Sequence, residues 1–550
     1  MNKFKNFEFS KIFLEGKRPY LWILGFGFFV YVRSLSFGFT YFDDNVLILD
    51  NLFFLKDINN FFKAFTIEVF HVLHSSAAYY RPLLTISYMF DALISGNNPF
   101  FYHLTNVLIH LSTSIFVFIF LNKLKIKREL SFLWAVVFAI HPVLVQAVAW
   151  LPGRNDSLLA FFVLPSFIFL ISFFEKRKSY YLWLYLLFFA LALFTKESSI
   201  FIPVLVLFYG LLLSDKRNLF VNILPFLFLE WMVIFSVWFY LRSIALLSSP
   251  VPYSILGSIK SIFGNLEAII LYIGKVILPF NLSVLPTLQD STLVYGFISL
   301  VLILVLFIFS KKKNYPLIAF GLLWFFVFLL PSFIRPSGYV PDFLEHRIYL
   351  PLVGIFVIFS SLSFFEKIDF GKPLVNFIFV LIIVIFSILN IWHSNKFKDK
   401  ISFWTSAVKT SPSHPLAHKN LGAMYYLDHE YNKAKQEFLK AVEINFEEPM
   451  IHNNLGLIYM RENNFDKAKE EFELELKINP NYDNALFNLG LLYWGQNEKQ
   501  KAAEMWLKTV LINPDHKDAL KGLAVYYGEI GDREKADYYL YQAKLRGAEF

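Results

Sequence analysis

The chain contains no cysteine, which removes disulfides, thiolate nucleophiles and cysteine-based zinc sites together. It also lacks a glycine-rich phosphate loop, the usual cradle of a soluble nucleotide. No cleavable leader is recognisable at the N-terminus. Tyr20 to Thr40 is long enough to span a bilayer and no small-residue cleavage site follows it, so this stretch is expected to remain as a first membrane helix.

What is present is apolar. Of 550 residues, 56% are hydrophobic and 67 are Phe, and the mean hydropathy of +0.50 is far above that of soluble globular proteins. The length calls for at least two domains. The formal net charge of +8 would suit a nucleic-acid ligand, but its placement argues otherwise. Lys17-Arg18, Lys123/Lys125/Lys127/Arg128, Lys176-Arg177-Lys178, Lys216-Arg217 and Lys311-Lys312-Lys313 sit in short runs between apolar stretches. That is the positive-inside signature of cytoplasmic loops, so the lipid bilayer is the expected partner and nucleic acid is not.

A span needs about 20 apolar residues, and about eleven such stretches occur, from 20–40 to 374–392. With the basic N-terminus inside, these cations fall on the cytoplasmic side and the C-terminal part outside. Residues 261–279 are apolar enough to cross, but crossing would export Lys311–Lys313, so a re-entrant or interfacial segment is expected there. The first outer loop, Tyr41 to about Phe100, holds Phe54, Ile58, Phe61, Phe62, Phe65 and Val69 at helical spacing. This reads as an amphipathic helix on the membrane surface.

Residues 417–550 repeat with a period of 34: Leu421/455/489/523, Gly422/456/490 with Ala524, Tyr425/459/493/527 and Ala434/468/502/536. Phe438, Phe472, Trp506 and Leu540 form the bulky series, and Asn479-Pro480 and Asn513-Pro514 close two repeats. Four positions in register over four repeats match the tetratricopeptide repeat (TPR), a helix pair that stacks into a solenoid with a concave protein-binding face. The expected fold is therefore all-α: a polytopic membrane domain at 1–395, then a TPR α-solenoid at 396–550, made of a half-repeat at 401–415 and four repeats at 417–550.

Chemistry-bearing residues gather in the outer loops. Asp43-Asp44 directly follows the first span, where a carboxylate is unfavourable at a helix C-terminus and well placed as a general base toward an incoming hydroxyl. His103, Asn106 and His110 share nearly one face of the second span, and His141-Pro142 lies inside the third; polar groups at that depth are functional candidates. Their spacing matches no standard metal-ligand set, and no metal ligand is assigned. Arg154 and Asp156, Lys196-Glu197 (an ion pair, or two groups facing one cavity) and Glu345-His346-Arg347 complete the set. A guanidinium such as that of Arg347 suits a phosphate, although an interfacial anchor is the commoner use.

In order along the chain these motifs are Asp43-Asp44, Tyr80-Arg81-Pro82-Leu83, Tyr102-His103-Leu104-Thr105-Asn106 with His110, His141-Pro142 with Gln146 through Asp156, Thr195-Lys196-Glu197, and His346-Arg347-Ile348-Tyr349-Leu350-Pro351. Together with the trailing TPRs, the series resembles the transmembrane-and-TPR O-mannosyltransferases and their bacterial relatives, in the C-type superfamily of multi-spanning glycosyltransferases. That resemblance implies a polyprenyl-phosphate-linked sugar donor (mannose or another hexose), a protein or peptide acceptor held by the TPRs, and a site on the outer face. It implies catalysis by Asp43 and Asp44, with Arg81, His103, His141, Arg154, Asp156, Lys196, Glu197, His346 and Arg347 around the donor. Gln146 stands where the family often has Glu, so an acidic role there does not carry over. No cofactor is required by this chemistry, which leaves room for a divalent metal. The location implied is a bacterial inner membrane with periplasmic TPRs, or the endoplasmic reticulum membrane with lumenal TPRs. A non-catalytic TPR scaffold for envelope assembly and an oligosaccharide ligase are the competing readings.

Overall fold

The computed structural model describes residues 9–73, 79–246, 255–334 and 342–548. The basic N-terminal residues and most of the Arg335-to-Tyr349 loop before Asp342 therefore lie outside the described residues. The chain divides into two compact units, Met1–Ser411 and Pro412–Phe550. Among the described residues the fold is helical, with extended pairing confined to two isolated bridges, Thr287 to Asp342 and Lys313 to Leu362.

The first unit begins with α1 (Arg18–Tyr31), α2 (Pro82–Ser95), α3 (Pro99–Lys123), α4 (Arg128–Ile140), the short α5 (Val145–Ala149), α6 (Arg154–Lys176) and α7 (Ser179–Leu193). It continues with α8 (Arg217–Ala245), α9 (Ile255–Gly264), α10 (Glu267–Ile277), α11 (Val294–Phe309), α12 (Tyr315–Leu329), α13 (Pro351–Ser360), α14 (Pro373–Ser394) and α15 (Lys400–Thr410). Five helical stretches are each long and apolar enough to cross a bilayer: Pro99–Lys123, Leu151–Lys176, Arg217–Ala245, Tyr315–Phe333 and Pro373–Phe397. Two further pairs qualify only together and are bent, Arg128–Ile140 with Pro142–Ala149 by 48° and Leu256–Gly264 with Glu267–Ile277 by 49°. The first unit is thus a multi-pass membrane domain whose spans are of unequal length.

Burial separates its centre from its rim. The Leu151–Lys176 stretch is 78% buried, against 17% for Arg217–Ala245 and 11% for Pro373–Phe397. The latter two present apolar side chains outward, as lipid-facing helices do. Helices α12 and α13 cross where two glycines meet: a Cβ on Gly321 would stand 2.7 Å from the Gly354 carbonyl oxygen, and one on Gly354 2.5 Å from that of Gly321. Only glycine allows so close an approach.

The structure corrects three expectations. The third span is not one helix: Pro142 cannot donate to the preceding turn, and His141 Nδ1 accepts from Val143 N at 3.2 Å, ending α4 and starting a new segment. The Phe-rich stretch of the first loop is not one amphipathic helix either. It breaks into the turns Leu52–Leu55, Ile58–Asn60, Lys63–Phe65 and His71–Leu73. Asp57 Oδ1 accepts from Asn59 N (3.0 Å) and Asn60 Nδ2 donates to the Phe54 carbonyl (3.0 Å), so local side-chain bonds outcompete the helical ladder. Lastly, α15 packs in the first unit. Phe403 and Trp404 are fully buried and contact the Phe42 ring at 5.5 and 5.4 Å between centroids, which moves the boundary from 396 to Ser411/Pro412.

The second unit contains four helix pairs: α16 (Pro415–Leu427) with α17 (Tyr431–Ile444), α18 (Ile451–Arg461) with α19 (Phe465–Ile478), α20 (Asp483–Gly495) with α21 (Lys499–Ile512), and α22 (Lys517–Glu529) with α23 (Arg533–Leu545). Phe438, Phe472 and Trp506 are buried against Gly422, Gly456 and Gly490, where a Cβ would lie 2.5–2.7 Å from the ring. The repeat extends to polar contacts. His418 Nδ1 faces Glu437 at 2.6 Å and His452 Nδ1 faces Glu471 at 2.7 Å, while their Nε2 atoms face the carbonyls of Pro412 and Phe446.

Candidate active site

Past α1 the chain runs through a tight turn in which Tyr41 (φ 56°) and Asp43 (φ 65°) occupy the left-handed region. Side chains other than glycine reach that region at a cost and persist there when their surroundings enforce it. The enforcement is visible. Asp44 is buried and its Oδ2 accepts from Thr40 N (2.7 Å) and Thr40 Oγ1 (2.8 Å). Trp150 Nε1 donates to the Phe42 carbonyl at 2.9 Å and its indole stacks on the Phe42 ring. The turn therefore spends Asp44 on its own closure and presents Asp43, which is half-buried and whose carboxylate accepts no hydrogen bond from the described residues. Burial, joined by the Asp342 charge and opposed by Arg81, raises Asp43 to about 6. Burial raises Asp44 to about 7, opposed by hydrogen bonds from Thr40 and Tyr41.

Around Asp43 the structure brings together charges that lie far apart in sequence. Arg81 Nη2 donates to Glu197 Oε1 at 3.2 Å, and its Nε is buried without a partner. Lys196 Nζ bridges both oxygens of Asp156 at 2.8 and 2.9 Å. Lys196 and Glu197 thus pair with two different residues and not with each other. Asp156 Oδ2 also lies 3.6 Å from His346 Nε2, while His346 Nδ1 lies 3.3 Å from Gln146 Oε1. Both ring nitrogens of His346 face oxygen atoms. Arg347 grips Asp342 with both terminal nitrogens, Nη1 to the backbone carbonyl (2.8 Å) and Nη2 to Oδ1 (3.0 Å). Every cation here already has a carboxylate, so a phosphate must share or displace one; the unpartnered Nε makes Arg81 the readier donor.

Arg154 and His141 are bonded into the fold. Arg154 is fully buried: Nε donates to Asn106 Oδ1 (2.5 Å), Nη2 to the Tyr102 carbonyl (2.7 Å), Nη1 to Ser87 Oγ (3.2 Å), and Nη1 pairs with Asp91 Oδ2 at 2.6 Å. His141 Nε2 donates to the Val276 carbonyl at 3.0 Å, its Nδ1 being the cap acceptor already described. His110 joins Tyr349 Oη to the Ala139 carbonyl. His103 is buried edge-on to Phe37. Among the described residues no three His, Asp or Glu side chains converge as a metal-ligand set. Gln146 positions its neighbours: Oε1 accepts from His346 N (3.2 Å) and Nε2 donates to the Val284 carbonyl (2.9 Å).

Sequence reasoning missed Asp342, Asp91, Lys275 and His393. Glu345 is fully buried; Oε1 accepts from Lys275 Nζ (2.5 Å) and Ser283 N (2.8 Å), and Oε2 from His393 Nε2 (2.8 Å). Although burial opposes it, Lys275 and His393 hold the Glu345 carboxyl well below its ordinary range, at about 2. This knot fixes the turn that carries His346 and Arg347. Lys275 and Asp91 were detectable as lone charges inside apolar helices; Asp342 carried no such signal.

A family model for the tetratricopeptide repeat matches residues 449–482. Protein O-mannosyl-transferase TMTC1 of Mus musculus is 36% identical over 101 residues, covering 18% of this chain and 10% of the relative. TMTC2 of Homo sapiens is 33% identical over 147 residues (26% and 17%), and TMTC3 of Homo sapiens 32% over 149 residues (25% and 15%). This chain resembles the transmembrane-and-TPR O-mannosyltransferases. The matched segments span no more than 17% of the length of these relatives. Among solved structures, a crystal structure of MamA is similar with 24% identity over 27% of this chain and 86% of that chain, TM-score 0.24. YrrB, a TPR protein with an unusual peptide-binding site, is similar with 23% identity over 27% and 76%, TM-score 0.23.

Proposed function

We propose that this chain is a membrane glycosyltransferase that moves mannose or another hexose from a polyprenyl phosphate to a hydroxyl of a protein, at the outer face of the membrane. The observation that carries the reading is Asp43: a half-buried carboxylate, free of hydrogen bonds from the described residues, displayed by a strained turn within the electrostatic reach of Arg81 and Asp342. In the step proposed, Asp43 takes the proton of the acceptor hydroxyl as its oxygen attacks the anomeric carbon. The bond from that carbon to the phosphate oxygen breaks, the electron pair leaves with the polyprenyl phosphate, and the configuration inverts. Arg81, backed by Arg347, would stabilise charge developing on the phosphate. Asp44 acts through the turn as a positioning residue.

The test is transfer by the purified full chain from synthetic polyprenyl-phosphate hexoses to acceptor peptides, followed as sugar mass gained. Failure with every donor in such a panel would sink the enzyme reading and favour a scaffold.

Two further outcomes are expected. The TPR unit should face outward, since an odd number of crossings from a cytoplasmic N-terminus puts it there. Gln496 is exposed at a loop between repeat helices. In this cysteine-free chain, Gln496→Cys should label with an impermeant maleimide in intact spheroplasts. Labelling only after lysis would reverse the topology. Second, truncation after Ser411 should lower transfer to a full-length protein acceptor by about 10²-fold, the scale of a lost effective concentration, while hydrolysis of the donor persists. Unchanged transfer would refute recruitment by the TPRs.

A further inference from the structure

Helix α6 carries Asp156 in its first turn, at the candidate site, and Glu175 in its last, where it pairs with Lys123. Its 23 residues span about 35 Å at 1.5 Å per residue, the thickness of a bilayer's apolar core. At this opposite end lies a cavity of about 710 Å³ whose wall includes Lys123, Lys125, Lys127, Lys312 and Lys313 against only Asp215 and Glu366. No step proposed above uses it.

Much of this positive charge is uncommitted. The Lys125–Asp215 pair is 74% and 69% exposed, and pairs so exposed hold little energy against a competing anion. Lys127 and Lys313 donate only to the carbonyls of Ile368 and Ser310, and the Lys312 ammonium has no partner among the described residues. Two helices also open onto the cavity by their N-termini: α4, preceded by Lys127, and α12, preceded by Asn314. The positive dipole ends of both helices favour an anion, and α4 has no side-chain cap, whereas Asn314 Oδ1 already accepts from Leu317 N in α12. Leu213 and Leu317 supply an apolar wall. Just before Lys311–Lys313, α11 ends in Ile308 and Phe309, which are 65% and 73% exposed and so lie against hydrocarbon in a membrane.

We infer that this cavity binds the phosphate headgroup of an anionic membrane lipid, with its acyl chains along α11. A soluble phosphate would use the same lysines and amides but would leave the apolar flank idle, whereas a lipid uses both. Basic pockets between spans at the cytoplasmic face are suited to such headgroups.

The experiment is native mass spectrometry of the full chain in detergent, titrated with cardiolipin and, separately, phosphatidylcholine. Wild-type protein should retain cardiolipin in preference to phosphatidylcholine. Lys127→Gln/Lys312→Gln/Lys313→Gln should weaken cardiolipin binding by at least about tenfold, given the contribution of each cation near a charged headgroup, and leave phosphatidylcholine unchanged. The corresponding triple Lys→Arg protein keeps the charges and should bind cardiolipin like wild type, which separates loss of charge from loss of fold. Equal retention of the two lipids, or undiminished cardiolipin binding by the glutamine variant, would overturn the inference. Displacement of cardiolipin by an equimolar amount of inorganic phosphate would overturn it too, by assigning the cavity to a soluble anion.

Discussion

Asp43→Asn is expected to abolish transfer from a polyprenyl-phosphate sugar while leaving the protein folded. The amide keeps the shape of the side chain but cannot take the acceptor proton, and loss of a positioned general base costs about 10²–10⁴ in rate. The structure adds a pH signature. Burial lifts the Asp43 carboxyl to about 6, so below that pH the base is protonated and transfer should fall; the wild-type rate should climb between about pH 5 and 7. Residual activity of the Asn variant should lack that limb. Stability moves in the opposite sense. A carboxyl whose folded value exceeds its ordinary 3.8 favours the protonated fold, and its contribution is lost as pH rises from near 4 through 6. Replacing it with a neutral amide removes that loss, so the variant's Tm at pH 8 should equal or exceed wild type, an inversion common where function is held at the expense of stability. Turnover near wild type by Asp43→Asn, in monodisperse protein, would remove this residue from the mechanism.

How far these features can be read from the residues depends on the range of the interactions that create them. The TPR unit is readable because its contacts recur locally: Gly422, Gly456 and Gly490 meet Phe438, Phe472 and Trp506 at a fixed spacing. The membrane character follows from apolar length, and Asp43-Asp44 stands out as an acidic pair after the first apolar stretch, although α1 itself ends at Tyr31. What was unreadable is pairing across long separations. Nothing local says that Lys196 reaches Asp156, that Arg81 reaches Glu197, or that Glu345 gathers Lys275 and His393. The opposite error occurred at residues 54–69, where apolar spacing suggested a helix but Asp57 and Asn60 supply bonds that close separate turns. Gln146 shows a third kind of limit. Its departure from the family's frequent Glu argued against an acidic role, and only its bond to His346 N reveals the positioning role it has instead.

Arg154 illustrates why a cation within a family-like motif is not automatically a substrate ligand, and its replacement should have the largest effect on stability. Its side chain is fully buried, its donors are taken by Asn106, Tyr102 and Ser87, its charge is matched by Asp91, and its guanidinium lies 4.6 Å from the centre of the Tyr88 ring. Four of its five N–H donors are thus engaged inside the protein. Arg154→Met should therefore act through the fold, leaving the buried Asp91 carboxylate without its partner, which costs about 3–5 kcal/mol when one member of a buried pair is removed. At that magnitude the variant should be recovered poorly and unfold at markedly lower temperature. Adding Asp91→Asn removes the orphaned charge and should recover part of the loss, a coupling that only neighbours show. The folded fraction of the double variant should use donor with an unchanged KM. A KM for donor raised tenfold in protein of wild-type Tm would instead return Arg154 to the substrate site, and Arg81 would then no longer be the readier phosphate contact.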